Sequence, residues 1–166
     1  VIIPRHDDGT PIPFRWANEL GSVRKASLKQ PDNDRGSSRL KYLRGARGQE
    51  IAKGNGGEFR NRKSVLGDII ASIPTYVGPP ERFYFSSTDF PEGSSYAAFK
   101  TSYKSRTAMV YVGANDGMLH GFNTADGREK LAYVPAATFD NLWQLSLPDY
   151  SHKNFVDGPI TYNDVY

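Results

Sequence analysis

Cysteine is absent from this sequence, which excludes a disulfide framework and thiolate zinc sites. No apolar run approaches the ~18 residues a membrane-spanning helix needs. The opening Val1-Ile2-Ile3-Pro4-Arg5 lacks a basic start followed by an apolar stretch. It is no secretory signal, so the signal of an exported protein would lie outside this stretch. Histidine is scarce: His6, His120 and His152 are the three, and none falls in a His-Glu-x-x-His or comparable ligand spacing. No Lys-Ser/Thr follows Gly54-Asn55-Gly56-Gly57, so it is not a phosphate-binding loop. Sixteen glycines and eleven prolines favour many turns over long helices.

The most informative stretch is Met109 to Pro135. It contains three apolar alternations separated by Asp116-Gly117 and Asp126-Gly127. Asp-Gly between alternating strands signals a hairpin, because glycine accepts the positive φ of a tight primed turn. Two in succession predict a three-stranded antiparallel meander, with Val110 and Val112 on one face of the first strand. Met118, His120 and Phe122 share a face of the second. On the third, Leu131 and Tyr133 oppose Ala132 and Val134. Such a meander is most of one β-propeller blade.

The flanking sequence completes that picture. Val65 to Val77, rich in β-branched residues, predicts a strand from Asp68 to Val77 that is irregular at Ser72 to Pro74. Gly158-Pro159-Ile160-Thr161-Tyr162 echoes Ser72-Ile73-Pro74-Thr75-Tyr76, so Phe155 to Tyr166 is expected to open a further blade. The fold class is therefore mainly β: a propeller fragment of about one four-stranded antiparallel blade plus the first strand of the next, with short helices in insertions. Residues 1–64 read as a helical and loop entry segment. Residues 65–166 read as the first blade, with residues 80–106 inserted and the start of the next blade. Since repeat units need neighbours to cover their apolar faces, the chain is expected to be part of a longer protein.

Helices are expected near Trp16 to Leu28, bent at Gly21, and at Leu40 to Leu43, closed by Arg44-Gly45. One turn is expected at Tyr96 to Lys100. Phe139, Leu142, Trp143 and Leu145 fall at helical spacing, with Thr138 as N-cap and Pro148 as terminator. Residues 45–62 read as a mobile Gly-rich loop with its turn at Asn55-Gly56-Gly57. Charge is uneven. Between Arg35 and Lys63 lie nine Lys or Arg against two Glu, although the net charge is only +3. The segment reads either as a solvated connector or as a basic surface for an acidic partner or nucleic acid.

Chemistry is sparsely signalled. His120 reads as a packed or edge-facing histidine. Ser151-His152 lacks a nucleophile elbow and a base–orienter pair. Asp116 and Asp126 are accounted for by their turns. Asp32-Asn33-Asp34-Arg35-Gly36 superficially resembles a calcium loop but fails at the fifth position and lacks the Glu at the twelfth. No catalytic, cofactor-binding or metal-binding residue is assigned.

Val110-Tyr111-Val112-Gly113-Ala114-Asn115-Asp116-Gly117-Met118-Leu119-His120, with Gly121-Phe122-Asn123 and Gly127-Arg128-Glu129 after it, resembles the signature of the PilY/PilC family of type IV pilus tip adhesins and biogenesis factors. Leu40-Lys41-Tyr42-Leu43-Arg44-Gly45, Phe59-Arg60-Asn61-Arg62 and Leu66 to Pro74 are similar to its upstream segments. Tyr150-Ser151-His152, Phe155 to Gly158 and Asp164 to Tyr166 resemble the start of its next blade. Residues 1–30 match only through Phe14-Arg15-Trp16. The resemblance implies a non-enzymatic, surface-exposed β-propeller acting in pilus biogenesis, twitching motility and adhesion. It implies minor pilins, pilus tip components or a host surface ligand as partners, with no nucleic acid. It implies export to the bacterial surface, pilus tip or outer membrane. The family's calcium loop would fall beyond Tyr166, so Ca2+ is assigned to no residue here, and its Arg-Gly-Asp feature is absent. The alternatives are a quinoprotein-like dehydrogenase propeller, for which Trp16 and Trp143 lie outside the meander, and a basic nucleic-acid module.

Overall fold

The computed structural model describes residues 2–4, 10–32, 34–54, 56–82 and 93–164. One sheet and one helical layer share a core. The strands are β1 (Ile2–Ile3), β2 (Thr75–Val77), β3 (Met109–Ala114), β4 (Met118–Asn123) and β5 (Glu129–Tyr133). Their order is β1-β5-β4-β3-β2. The pairs from β2 to β5 are antiparallel, as the predicted blade requires. The parallel addition of β1 to β5 was not expected from sequence. Its two residues carry no alternation long enough to read.

The meander turns are longer than the two-residue primed type. Ala114 pairs with Met118, leaving Asn115-Asp116-Gly117 as a three-residue loop. Gly117 takes φ +91°, the αL position such loops reserve for glycine. The next turn closes through Gly127 N–H donating to Asn123 O at 2.8 Å, with Gly127 at φ +66°.

The predicted strand from Asp68 is cut to Thr75–Val77. Upstream, single hydrogen bonds replace the ladder. Gly113 N–H donates to Ser72 Oγ at 2.8 Å, and Asn115 N–H donates to Asp68 O at 3.0 Å. Pro74, lacking an N–H, cannot carry the pairing across. Residues 155–164 likewise pair with no strand among the described residues. They are held by single contacts instead: Phe155 N–H to Asn115 Oδ1, and Ala71 N–H to Asp157 Oδ1.

The helical layer is α1 (Ser22–Lys29), α2 (Gly36–Leu43) and a 3-10 helix Ala136–Ser146; α3 (Gly93–Ser102) lies in the insertion. α2 and α3 are longer than expected. In α2 four of the five buried residues, Gly36, Arg39, Leu40 and Leu43, recur at i, i+3, i+4 and i+7, one helical face that Tyr42 widens. Thr138 lies inside the 3-10 helix rather than capping it, its hydroxyl donating to Pro135 O at 2.8 Å. Much of the aromatic insertion, including Phe83, Tyr84, Phe85 and Phe90, lies outside the described residues.

The core gathers Phe14, Leu20, Leu28, Leu40 and Tyr42 with Met118, Ala132 and Val134 of the meander and Phe139, Leu142 and Leu145. Phe14 meets Phe139 edge-on at 5.9 Å. Each such aliphatic or aromatic side chain contributes about 1.5–3 kcal/mol when withdrawn from water.

The expected mobile loop at 45–62 is instead pinned. Glu50, 1% exposed, receives Arg62 Nε at 2.9 Å and Arg47 Nε at 3.0 Å. Burial alone would raise its pKa, but these two guanidiniums overcome that and hold it below the ordinary carboxylate range. Arg62 also donates to the carbonyls of Tyr42 and Ala46 and lies over the Tyr42 ring. Phe59 is buried against Tyr42. Glycine content signalled flexibility here, but the ion cluster and Phe59 override it. Of the expected turn, Gly57 N–H donates to Gly54 O; Asn55 lies outside the described residues.

Two predictions follow from this packing. Glu50→Gln leaves two guanidiniums short of a charge, so chemical denaturation should show a loss of about 3 kcal/mol; a loss under 1 kcal/mol would mean the cluster is not structural. A Cβ on Gly117 would stand 2.3 Å from Leu142 Cδ2 at positive φ. Gly117→Ala should therefore cost about 2–3 kcal/mol. Gly127→Ala, which meets nothing within 4 Å, should cost only about 1 kcal/mol from backbone strain. Equal losses would dismiss the steric account.

Candidate functional site

The turn Asn115-Asp116-Gly117 is where the chain's polar chemistry converges. Asn115 is buried and uses every side-chain group it can. Its Nδ2 donates to Asp68 Oδ2 at 3.1 Å and its Oδ1 accepts from Phe155 N–H at 2.9 Å. Asp116 Oδ2 accepts Gly67 N–H at 2.9 Å, and Oδ1 accepts Met118 N–H at 3.2 Å. A Cβ on Gly67 would fall 2.3 Å from Asp116 N, so only glycine admits this approach. The turn is thus a clamp joining three distant segments, a role beyond that read from sequence.

Asp116 also faces His120. His120 is 4% exposed and holds a carboxylate at each ring nitrogen: Asp116 Oδ1 3.0 Å from Nε2, and Glu129 Oε1 2.6 Å from Nδ1. The expected packed histidine is observed; Glu129 as its partner was not foreseen. The cause is a bulge. Opposite His120 stands Ala132, but the register shifts so that Phe122 faces Glu129 and Lys130 drops out of the ladder. Regular pairing would have set Lys130 opposite Phe122, on the histidine's face. The bulge exchanges a cation for a carboxylate there. Burial disfavours the imidazolium, but Asp116 and Glu129 outweigh it and raise the His120 pKa above 6.5. Both ring N–H groups then donate, and no lone pair is left for a metal or a substrate proton.

These residues border a cavity of about 230 Å³, whose other walls include Ile2, Leu43, Leu66, Met118 and Phe122. It is largely apolar, with Asp116, His120 and Glu129 along one side.

The remaining sequence candidates are dispersed. His152 Nε2 stands 2.7 Å from Asp68 Oδ2. Burial would raise the Asp68 pKa, but Asn115 and His152 donate to its carboxylate and lower it. Trp16 packs on Gly36, and Trp143 donates its indole N–H to Asp140 O. Trp16 packs against the helical layer and Trp143 lies within it, and neither lines the cavity. Asp126 caps its own turn and pairs with Lys130. His6 and Asn33 lie outside the described residues. Among the described residues no three His, Asp or Glu side chains are arranged to hold a metal ion, and no calcium chemistry is assigned to them.

The sequence profile described as the PilY1 beta-propeller domain matches residues 66–156, more than half of the chain. A type IV pilus biogenesis factor PilY1 homolog of Xylella fastidiosa is 40% identical over 157 residues, 93% of this chain. This chain belongs to the PilY1 family. The type IV pilus biogenesis factor PilY1 of Pseudomonas aeruginosa UCBPP-PA14 is 36% identical, again over 93% of the chain. The chain spans only 13% and 14% of the length of these two relatives. No solved structure matches it. The family profile begins at Leu66, beside the Gly67 contact with Asp116, and ends at Val156, beside the Phe155 contact with Asn115. The clamp therefore joins the two ends of the PilY1-type segment.

The histidine's linkage gives a pH prediction. A folded-state pKa above 6.5 means the folded chain binds this proton more tightly than the unfolded chain. The stabilisation is complete below pH 6.5 and is lost as pH rises through the folded value. Denaturation midpoints should therefore fall as pH rises above 6.5 through the folded-state value, and His120→Gln should flatten that fall. Identical pH slopes in the two proteins would contradict it.

Proposed function

We propose that this chain builds the opening blade of a surface-exposed β-propeller that serves type IV pilus biogenesis and adhesion without catalysing a reaction. In this reading the assembled propeller lies on the exported side, at the cell surface or pilus tip, and binds minor pilins, other tip components or a host surface. The observation that carries it is the 36–40% identity to type IV pilus biogenesis factors over 92–93% of the chain. The geometry supports a binding role. His120 has both nitrogens committed to carboxylates, and His152 is turned to Asp68 rather than to Ser151. Neither is paired with a nucleophile. Glu50, Asp68 and His120, whose protonation is shifted, instead tie segments together, as structural ion clusters do.

The test is complementation in a piliated bacterium lacking its own copy. The full-length protein should restore sheared surface pili and twitching zones, and a version lacking residues 66–156 should not. Capture of minor pilins from envelope extracts should follow the same pattern. Full restoration by the deleted version would sink the proposal.

A further inference from the structure

The basic segment divides into two populations of cations. Arg39 is 1% exposed; its Nε donates to Ser146 Oγ at 2.8 Å and its Nη1 donates to Leu28 O. Arg62 and Arg47 neutralise Glu50. Arg35 pairs with Glu58 at 2.6 Å, and Arg44 donates to Phe14 O. These cations serve the fold. Four cations do not: Lys41, Lys53, Arg60 and Lys63 form no ion pair among the described residues, and of these Arg60 and Lys63 share one groove.

Arg60 is nonetheless held in place. Its backbone N–H donates to Ser146 O at 2.9 Å, and its carbonyl accepts the Tyr42 hydroxyl at 3.1 Å. Its guanidinium lies 4.2 Å from the centre of the Tyr150 ring. Its Nε is buried with no hydrogen-bond partner. A guanidinium stacked on an aromatic ring keeps its fork rigid and suits a planar two-oxygen acceptor. It loses little side-chain freedom on binding, because stacking has already ordered it. Arg60 and exposed Lys63 line one open groove of about 510 Å³ together with Asn61, Leu66 and Asp68. Beyond Leu66 in the chain, the apolar residues Ile69, Ile70 and Ile73 are exposed.

We propose that this groove is a docking site for an extended acidic segment of a protein partner, with one carboxylate seated on Arg60 and apolar side chains lying along Leu66 and Ile69. The lining sets these cations and the apolar Leu66 beside the Asp68 carboxylate, which His152 engages. That mixture suits a peptide alternating carboxylates with apolar residues. A nucleic acid strand, charged at every step, would meet repulsion at Asp68. The proposal does not need the pilus reading, since its probe is synthetic.

The test is fluorescence anisotropy on the full-length protein at low salt. The probes are a labelled hexapeptide alternating glutamate and leucine, its glutamine–leucine counterpart and a six-nucleotide single-stranded DNA. The acidic peptide should bind best. Arg60→Gln should weaken it about tenfold, the loss expected for one charge-assisted hydrogen-bonded pair. Lys63→Gln, at an exposed position, should weaken it about twofold to threefold, as a surface charge does. Arg60→Lys should fall between wild type and Arg60→Gln, because it keeps the charge and loses the fork. If Arg60→Gln fails to fold by circular dichroism, Arg60→Lys and Lys63→Gln decide. Equal binding of the glutamine peptide, unchanged affinity in the folded variants, or tighter binding of the DNA would each overturn the proposal.

Discussion

Asn115-Asp116-Gly117 is the constraint on which the rest of the structure depends. A hairpin turn needs only a glycine at its αL position, and Gly117 supplies it. The two residues before it carry a second burden. Asn115 satisfies backbone or side-chain groups of Asp68 and Phe155, and Asp116 satisfies Gly67 and His120. The clamped segments, 67–72 and 155–157, have no ladder of their own to hold them. Buried amides and carboxylates in this position are costly unless every bond is made. The turn, the glycine at 67 and the extended segments therefore stand or fall together.

The His120 group extends that dependence onto the sheet face. Asp116 reaches His120 because the turn is three residues long, and Glu129 reaches it because β5 is bulged. One short turn and one extra residue, each a backbone feature, decide the charge on a buried ring. The result joins β4, β5 and the turn electrostatically on the face that also carries Met118 and Phe122. A pair of carboxylates around one imidazolium can specify register, because any slip of β5 by one residue would return Lys130 to that face.

What sequence could disclose follows from how local each cause is. The meander was legible because its signal lies within 27 contiguous residues, Met109 to Pro135, and rests on alternation and two Asp-Gly pairs. Helix positions were legible and their lengths were not, since α2 buries Gly36 and Arg39, residue types that no apolar pattern counts. The β-branched run from Asp68 predicts more strand than forms, because Ile69, Ile70 and Ile73 are exposed rather than packed on a partner strand. Glu50 with Arg47 and Arg62, and His120 with Glu129, were illegible because their partners meet only after folding. The two Gly-rich turns and the pinned 45–62 segment share glycine content. They differ in Phe59 and Glu50, two buried side chains that a compositional reading averages away.

That averaging also explains why the charge of residues 35–63 was ambiguous. A count of cations treats Arg39 and Lys63 alike, yet one is buried against Ser146 and the other stands in solvent. Burying a guanidinium is tolerable only where carbonyls, hydroxyls and carboxylates surround it, and the helical layer provides these for Arg39 and Arg62. Once the internally satisfied cations are removed, Lys41 and Lys53 remain as exposed lysines, and Arg60 on Tyr150 with Lys63 beside it remains as a small directional feature. Such a feature cannot act as a diffuse field for polyanions. Its reach is short under physiological screening, and its geometry is that of one planar acceptor. Selectivity for a carboxylate-bearing chain then arises from the same act of folding that consumed the other arginines.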